Sequence, residues 1–201
     1  MKRNLLVVMF ICILLVISCA KEQQSPVKEN KGTNIEQSII KFGEVIIKNY
    51  DKTESFFEEK SKSSAKFGEI RAIEIINPTL NKREHGILID ITIITPSYYT
   101  VSTKDARAYV DYDELESLIK GIDYIVDENN INNNSFKAHY VSSYTTKGDL
   151  KISIFPSNDI RKCVIEVKHT GLIISLNDLS KFKELVNNNK IKIEDIKKRN
   201  K

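Results

Sequence analysis

The stretch GILIDITII, residues 86–94, decides the fold. Isoleucine recurs at every second position, while polar residues such as Asp90 fill the alternate positions. A period of two is typical of a β-strand with one buried and one exposed face. The preceding stretch GEIRAIEII, residues 68–76, also favours a strand, and Pro78 and Asn81 mark the connection. We therefore predict two strands here, with a turn between them.

The chain on either side of these strands follows one order of elements. Two short strands are predicted at residues 98–102 and 106–110, before a helical stripe of leucine and isoleucine. Asp111 and Glu114 have the spacing of a capping box at the start of that helix. Further strands are predicted at residues 136–143, 150–155, 162–168 and 172–175, followed by a helix at 177–190.

An internal repeat accounts for this order. Aligning Asp111 with Ser175 also aligns Glu114 with Asp178 and the apolar positions that follow. We predict an α+β fold of antiparallel sheet or sheets, built from two ββββα-like repeats at about residues 67–130 and 135–190. The order of elements resembles that of the Whirly and PUR nucleic-acid-binding folds. No motif residues of those families are matched, so the resemblance implies fold and not function.

The N-terminus has the parts of a bacterial export signal. Lys2 and Arg3 form a positive start, and residues 5–17 are an uncharged apolar run. These thirteen residues match the core of a signal peptide and are too few to span about 30 Å of hydrocarbon as a helix. We predict residues 1–18 as a leader peptide.

The end of this leader resembles the lipobox of bacterial lipoproteins, on the residues Val16, Ile17, Ser18 and Cys19. The resemblance implies that the signal peptidase recognises the three residues before Cys19. It also implies that the Cys19 thiol carries a diacylglyceryl group and that the new amino terminus is acylated. Two or three chains anchor firmly, since each buried CH₂ contributes about 0.8 kcal/mol. The alternative is an ordinary secretory signal with an incidental cysteine.

The cysteines and the charge balance argue against an internal disulfide, a reactive thiol and a nucleic-acid partner. Cys12 leaves with the leader and Cys19 carries lipid, so Cys163 has no disulfide partner in the mature chain. It alternates in phase with apolar neighbours, which predicts a buried, inert thiol. The chain has 31 basic and 27 acidic side chains, and two of the basic ones belong to the leader. That balance predicts no nucleic-acid partner.

Between the leader and the strands, the sequence predicts a tether and a helix. Residues 19–33 are polar, without a period, and favour a flexible tether. In residues 34–66, apolar residues recur every three to four positions from Ile35 to Tyr50, which predicts an amphipathic helix. Its end is followed by a charged loop, and residues 67–201 are predicted as a single domain.

The C-terminal stretch KIKIEDIKKRNK, residues 190–201, is rich in lysine and isoleucine. We predict a last helical turn that frays into a solvated basic end. The alternative is contact with anionic lipid headgroups, which attract basic residues near a membrane surface. Glu194 and Asp195 weaken that alternative.

Tyrosines are the candidate partner-binding residues. Tyr98 and Tyr99 fall in a loop or edge strand, and Tyr140 and Tyr144 flank a predicted turn. Exposed tyrosines combine an apolar ring with a hydroxyl, which favours recognition of protein or glycan. The alternative is that these rings close the ends of the sheet.

Catalytic and metal-binding patterns are missing from the sequence. His85, His139 and His169 are predicted at strand ends or on polar faces, without ligands at metal-binding spacing. Helix capping explains the acidic cluster at residues 111–116 in an exposed setting. No glycine-rich phosphate loop or hydrolase motif occurs. We predict no catalytic residue, no metal, no cofactor and no enzymatic activity.

Several features together indicate a class of protein. The leader, the lipobox, the tether and the stretches YDELESLIKGIDYI, residues 112–125, and TTKGDLKISIF, residues 145–155, resemble small, functionally uncharacterised lipoproteins. Such proteins occur in spirochaetes such as Borrelia and in Bacteroidetes. The resemblance implies an envelope protein on the cell membrane or outer membrane, facing the periplasm or the exterior. We predict a non-enzymatic binding module for a protein partner; the alternative is a periplasmic accessory lipoprotein of an envelope assembly or enzyme complex.

Overall fold

The isoleucine-rich stretch at residues 86–94 lies in the central strand of the first of two antiparallel sheets. The computed structural model describes residues 32–42, 46–50, 52–131, 141–157 and 160–200. In chain order its elements are α1 (Asn34–Phe42), β1 (Ile46–Asn49), β2 (Glu54–Lys60), β3 (Ala65–Asn77), β4 (Lys82–Pro96), β5 (Val101–Asp111), α2 (Leu115–Ile131), β6 (Ser142–Thr145), β7 (Leu150–Ser157), β8 (Ile160–Val167), β9 (Thr170–Ile174) and α3 (Leu176–Arg199). The predicted α+β class with antiparallel sheets is confirmed.

The first sheet is built around β4, which pairs antiparallel with β3 on one side and with β5 on the other. Its core-facing isoleucines, Ile87, Ile89 and Ile91, are fully buried. The prediction of strands at residues 98–102 and 106–110 needs correction. A single strand, β5, starts at Val101, and the preceding tyrosines lie in the turn.

Two short strands share the remaining edge of β3, which corrects the predictions for residues 34–66. β1 pairs with the C-terminal half of β3 and β2 with its N-terminal half. The periodic stretch is therefore not one helix, because its last part adds a strand to an open sheet edge. The predicted charged loop contains β2, which is held by Phe56. That side chain is fully buried and packs over Gly68, where any Cβ would lie 2.4 Å from the ring.

The second sheet is an antiparallel meander in the order β6, β7, β8, β9. The strand predicted at residues 150–155 falls within β7, and those predicted at 162–168 and 172–175 extend one residue beyond the ends of β8 and β9. The strand predicted at residues 136–143 overlaps β6 only at its end, because β6 begins at Ser142 and most of the predicted segment lies outside the described residues.

Each long helix packs on the sheet that it does not follow. α2 follows the first sheet and contacts β6 and β7 of the second, while α3 follows the second sheet and contacts mainly β2, β3 and β4 of the first, with a smaller contact to β8. The rings of Phe56 and Phe182 meet edge to face at 4.9 Å between centroids. One continuous apolar core therefore includes side chains from both sheets and both helices.

The C-terminal segment is more regular than the sequence predicts. α3 remains helical to Arg199, so the frayed end predicted after residue 190 is wrong for the described residues. The reason is Ile193, which is fully buried and holds this part of the helix on the core. Ser175 and Asp178 form a capping box at the start of α3.

α1 covers part of the outer face of the first sheet. Ile35 packs with Ile73, Ile75 and Leu88 in a second, smaller apolar cluster. The carboxylate of Asp111 caps α1, because it accepts hydrogen bonds from the amides of Asn34 and Ile35 at 2.6 and 3.1 Å. The predicted capping box of Asp111 on its own helix is therefore wrong. The sequence order could not show that the start of another helix lies against this carboxylate.

Candidate functional site

Tyr98 and Tyr99 stand together in the turn between β4 and β5. The amide of Ser97 donates to the carbonyl of Thr100 at 2.7 Å and closes this turn. We call residues 97–100 the tyrosine tip. Tyr98 is 101% exposed and Tyr99 is 97% exposed. The alternative that these two rings close the end of a sheet is therefore wrong.

The tyrosine tip lies within an uncharged segment, residues 91–103. All residues from 95 to 105 are exposed, and Val101 beside the tip is 68% exposed. Aromatic and apolar side chains that are exposed as a cluster mark an interaction site more often than apolar side chains that are exposed singly. Tyrosine is also enriched among residues that contribute most to binding energy. The tip therefore has the composition of a recognition surface.

The other predicted site residues do not join this tip. Tyr144 lies in β6 and packs against Gly121 of α2, where burial raises the pKa of its hydroxyl. A Cβ on Gly121 would lie 2.4 Å from the Tyr144 ring, so this contact is tight. Tyr140, Cys19 and the peptidase recognition residues Val16, Ile17 and Ser18 lie outside the described residues.

A buried polar cluster lies at the opposite end of β4 from the tip. Glu74 of β3 is fully buried on the core side of the sheet. It accepts hydrogen bonds from the hydroxyl of Tyr50 and, at 3.0 Å, from Nη1 of Arg83. Nε2 of His85, its partner on β4, lies 3.3 Å from Oε1 of Glu74. Tyr50 and Arg83 therefore hold the carboxylate by hydrogen bonds, and His85 lies beside it without a hydrogen bond.

The strand periodicity contains a signal for this cluster. Glu74 is in phase with the apolar residues Ile70 and Ala72 on the same strand, and a charged residue in that phase indicates a buried carboxylate. His85 is likewise in phase with Ile87, near the start of β4, so of the two predicted settings it occupies a strand end and not a polar face. Burial lowers the pKa of His85 despite the nearby Glu74 carboxylate.

We expect Glu74→Gln to lower the free energy of unfolding at neutral pH by about 1.5–3 kcal/mol, the usual contribution of a hydrogen bond to a charged group. Burial alone would raise the pKa of Glu74, but the bonds from Tyr50 and Arg83 and the nearby His85 outweigh it and hold this pKa below its ordinary value. A carboxylate of this kind stabilises the fold above its unfolded-state pKa, and that contribution disappears as the pH falls through its folded-state pKa. The deficit of the variant should therefore shrink in acid, as measured by urea unfolding at a series of pH values.

Glu69→Gln is the matched control, because Glu69 lies on the opposite face of the same strand and only part of its surface is buried. This change should alter stability by less than about 0.5 kcal/mol at every pH. A Glu74→Gln deficit that stays constant into strong acid would contradict an ionised Glu74 in the folded protein.

The acidic cluster at residues 111–116 is not uniformly exposed, which corrects the setting that the sequence predicts. Asp111 and Glu114 are 3% and 9% exposed. Glu114 accepts a hydrogen bond from the amide of Lys147 at 3.1 Å. Burial raises the pKa of both carboxyl groups, although backbone amides oppose the effect. These two side chains therefore tie separate segments together.

Cys163 lies on β8 and is fully buried, as predicted. Burial, with a smaller effect of Asp178, raises the pKa of its thiol to about 11. A thiol with so high a pKa is almost entirely protonated at neutral pH and is a poor nucleophile.

Two open recesses lie elsewhere on the described surface. One recess of about 510 Å³ on the outer face of the first sheet is lined by Glu69, Asp90, Asp105 and Arg107. Nε of Arg107 donates to Asp90 at 2.7 Å, so part of its charge is neutralised internally. The other recess, of about 500 Å³, lies between α2 and α3 and is largely apolar.

The fold and the tip define an α+β domain with an exposed aromatic hairpin. Comparison of the chain with protein-family models, curated proteins and solved structures gives no match. Among the described residues, no group of three or more His, Cys, Asp or Glu side chains could hold a metal ion. No helix in the same part of the chain is long and apolar enough to cross a membrane.

Proposed function

We propose that the protein is a bacterial lipoprotein, held on the cell membrane or outer membrane by acylated Cys19, that binds a protein partner through the tyrosine tip. It faces the periplasm or the exterior and catalyses no reaction. The observation that carries this proposal is the uncharged, fully exposed pair Tyr98 and Tyr99 at one end of a long hairpin.

The position of the tip relative to the start of the domain supports this proposal. The described chain begins at Gly32, and the amide of Asn34 is bound by Asp111, which pairs with Gly86 on β4. Pro96, at the base of the tip, lies ten residues further along β4, a rise of about 33 Å. The tip and the entry of the tether therefore lie towards opposite ends of the first sheet. A tip at the end of the sheet away from Gly32 favours access by a partner.

The burial of the polar cluster around Glu74 supports a non-enzymatic function. Glu74 is fully buried, and its carboxylate is already engaged by Tyr50 and Arg83. A general base must reach a bound substrate and accept a proton from it. A carboxylate so enclosed favours a structural role.

We also propose that the chain contains two ββββα repeats, preceded by α1 as an N-terminal amphipathic helix. The boundary predicted for the first repeat needs correction, because residues 67–130 include strands β3 to β5 and the fourth strand is β2, at Glu54–Lys60. With this change, β2 to β5 and β6 to β9 have the same order within their sheets, and each set is followed by a long helix. The two helices are exchanged between the sheets, so each half covers the apolar face of the other. A duplication accounts for this reciprocity, because one half alone would leave its sheet exposed.

The double change Tyr98→Ala and Tyr99→Ala is expected to weaken partner binding by about thirtyfold or more. Truncating a residue central to an interface costs about 2 kcal/mol or more, and 1.4 kcal/mol is a tenfold change in affinity. A photo-reactive amino acid at position 98, in the acylated protein in cells, identifies the partner by cross-linking. The affinity of the purified partner is then measured for both forms.

Tyr124→Ala is the matched control, because this tyrosine is 64% exposed on α2 and lies outside the tip. It should leave the affinity unchanged, and a photo-reactive group at position 124 should not capture the same partner. Equal affinity of the wild type and the double variant would rule out the tip as the binding site.

A further inference from the structure

The end of the first sheet opposite the tyrosine tip has an unusual surface. We call it the Leu80 end; it consists of the turn at residues 78–81, the first residues of β4, the edge strand β1 and the C-terminal turn of α3. Leu80 is 51% exposed, and Ile46 and Ile47 of β1 are 51% and 45% exposed. These three large aliphatic side chains lie at one end of the sheet, because β1 pairs with the last residues of β3.

Basic side chains occur on the elements that form this end, on β1, at the start of β4 and in the last turn of α3: Lys48, Lys82, Arg83, Lys197, Lys198 and Arg199. Three of them have carboxylate partners at the same end: Lys82 lies 2.7 Å from Glu84, Lys198 lies 3.7 Å from Asp195, and Arg83 binds Glu74. Lys48 and Arg199 have no ion-pair partner among the described residues. The Leu80 end therefore carries an excess of positive charge around exposed apolar groups.

The contacts of α3 place its basic terminus at this end. The ammonium of Lys197 lies 3.9 Å from the ring centroid of Tyr112, and the Tyr112 hydroxyl donates to Glu194 at 3.1 Å. Tyr112 directly follows Asp111, which caps α1. The basic end of α3 is thus adjacent to the point where the chain enters the domain.

The length of the tether limits which end of the domain can reach the membrane. The flexible tether that the sequence predicts before the domain would span about 20 Å as a coil. The first described residues lie beside Asp111, which pairs with Gly86 of β4. From Gly86, the turn at residues 78–81 lies towards one end of the sheet, and the tip lies about 33 Å away towards the other end. The Leu80 end is therefore the part of the first sheet that a short anchor brings closest to the lipid.

We infer that the Leu80 end rests on the anionic headgroups of the membrane that holds Cys19, with Leu80 and Ile46 at the lipid interface. This inference depends on the lipid anchor of the proposed function. Basic residues near a membrane surface are attracted by anionic headgroups, and aliphatic side chains gain by leaving water. β4 then extends from the membrane surface into solvent, and the tyrosine tip at its far end points away from the membrane.

Site-specific fluorescence on the acylated full protein tests this orientation. A dye is attached at Leu80→Cys or at Tyr98→Cys, since the buried Cys163 thiol is unreactive and the Cys19 sulfur is acylated. The protein is reconstituted in vesicles of phosphatidylglycerol and phosphatidylcholine that contain a headgroup-attached quencher. We expect several-fold stronger quenching at position 80 than at position 98. The difference should decrease in phosphatidylcholine alone and at high salt, which screens the charges.

Charge reversal provides a second measurement. The triple change Lys48→Glu, Lys198→Glu and Arg199→Glu should greatly reduce quenching at position 80. The matched control reverses three exposed lysines elsewhere, Lys62, Lys151 and Lys181, with the same change in net charge. This control should leave quenching unchanged.

The outcomes separate this inference from the proposed function. Acylated protein with equal quenching at positions 80 and 98, or with quenching that is insensitive to the triple reversal, would overturn the inference alone. Protein without acyl groups on Cys19 would overturn the proposed anchor and, with it, the orientation. Strong quenching at position 98 would instead place the tyrosine tip on the membrane.

Discussion

Cys19→Ala is expected to abolish acylation and to leave the leader attached. In the proposed lipoprotein, this sulfur would carry the diacylglyceryl group, and the lipoprotein signal peptidase would cleave before the modified residue. One myristoyl chain gives a membrane affinity of only about 10⁴ M⁻¹, whereas two or three chains anchor stably. A chain that starts at residue 20 has neither leader nor acyl groups, so its partition into vesicles should fall by several orders of magnitude. Intact mass and vesicle flotation measure the two effects.

Cys163→Ala is the control for the loss of a thiol. Cys163 lies in the core on β8, so its replacement should leave both acylation and leader cleavage unchanged. If the intact mass shows that the mature wild-type chain starts at residue 19 without acyl groups, or starts at another residue, the leader is an ordinary secretory signal and not a lipobox.

The central strands could be predicted from the sequence because their pattern is local. In β4 each buried isoleucine is separated from the next by one outward residue, and this period is sufficient to indicate a strand. β7 and β9 have comparable alternation, and their predicted positions agree with the structure. Long helices likewise have enough apolar positions to show their period.

The edge strands could not be predicted, because the residues that stabilise them lie in other segments of the chain. Ile46 and Tyr50 continue the helical spacing of α1, yet the chain from Ile46 pairs with the open edge of β3. In β2, five of the seven residues are polar or charged, and only Phe56 and Phe57 show that it is held by the core. Backbone hydrogen bonds to a distant strand leave no periodic signal of their own.

Buried carboxylates were misjudged for a related reason. Asp111 and Glu114 have the spacing of a local cap, but their partners are amides at Asn34, Ile35 and Lys147. A cap is defined by which amides lie near the carboxylate, and here the fold brings them from far along the chain. Capping motifs are dependable only where both partners are local, as in Ser175 and Asp178.

The candidate surfaces differ in how far the sequence reveals them. Tyr98 and Tyr99 are adjacent in the chain and follow Pro96, so the sequence shows the aromatic pair, but only the structure places it in an exposed turn and not in a strand. The Leu80 end combines a turn, an edge strand and a helix terminus that are up to about 150 residues apart in the sequence. The register of β3 with β1 and β4 brings the turn and the edge strand together, and the contacts of Lys197 and Glu194 with Tyr112 place the helix terminus.

Phe182→Ala is expected to lower the free energy of unfolding by about 3–5 kcal/mol, the usual cost of removing a fully buried aromatic side chain. Phe182 is 0% exposed on α3 and meets Phe56 of β2 edge to face. Since small domains are stable by about 5–15 kcal/mol, this loss is a large part of the total. Urea unfolding followed by circular dichroism measures the change.

Ile191→Ala on the same helix is the control, because Ile191 is 49% exposed and should change stability by less than about 0.5 kcal/mol.

The number of unfolding transitions provides a further test. α3 follows β9 of the second sheet and covers β2 and β3 of the first, so loosening it exposes the core of both sheets together. The Phe182→Ala protein should therefore unfold in one transition at lower urea. Two separate transitions would mean that the sheets are stable independently, and the exchange of helices would then not be what joins them.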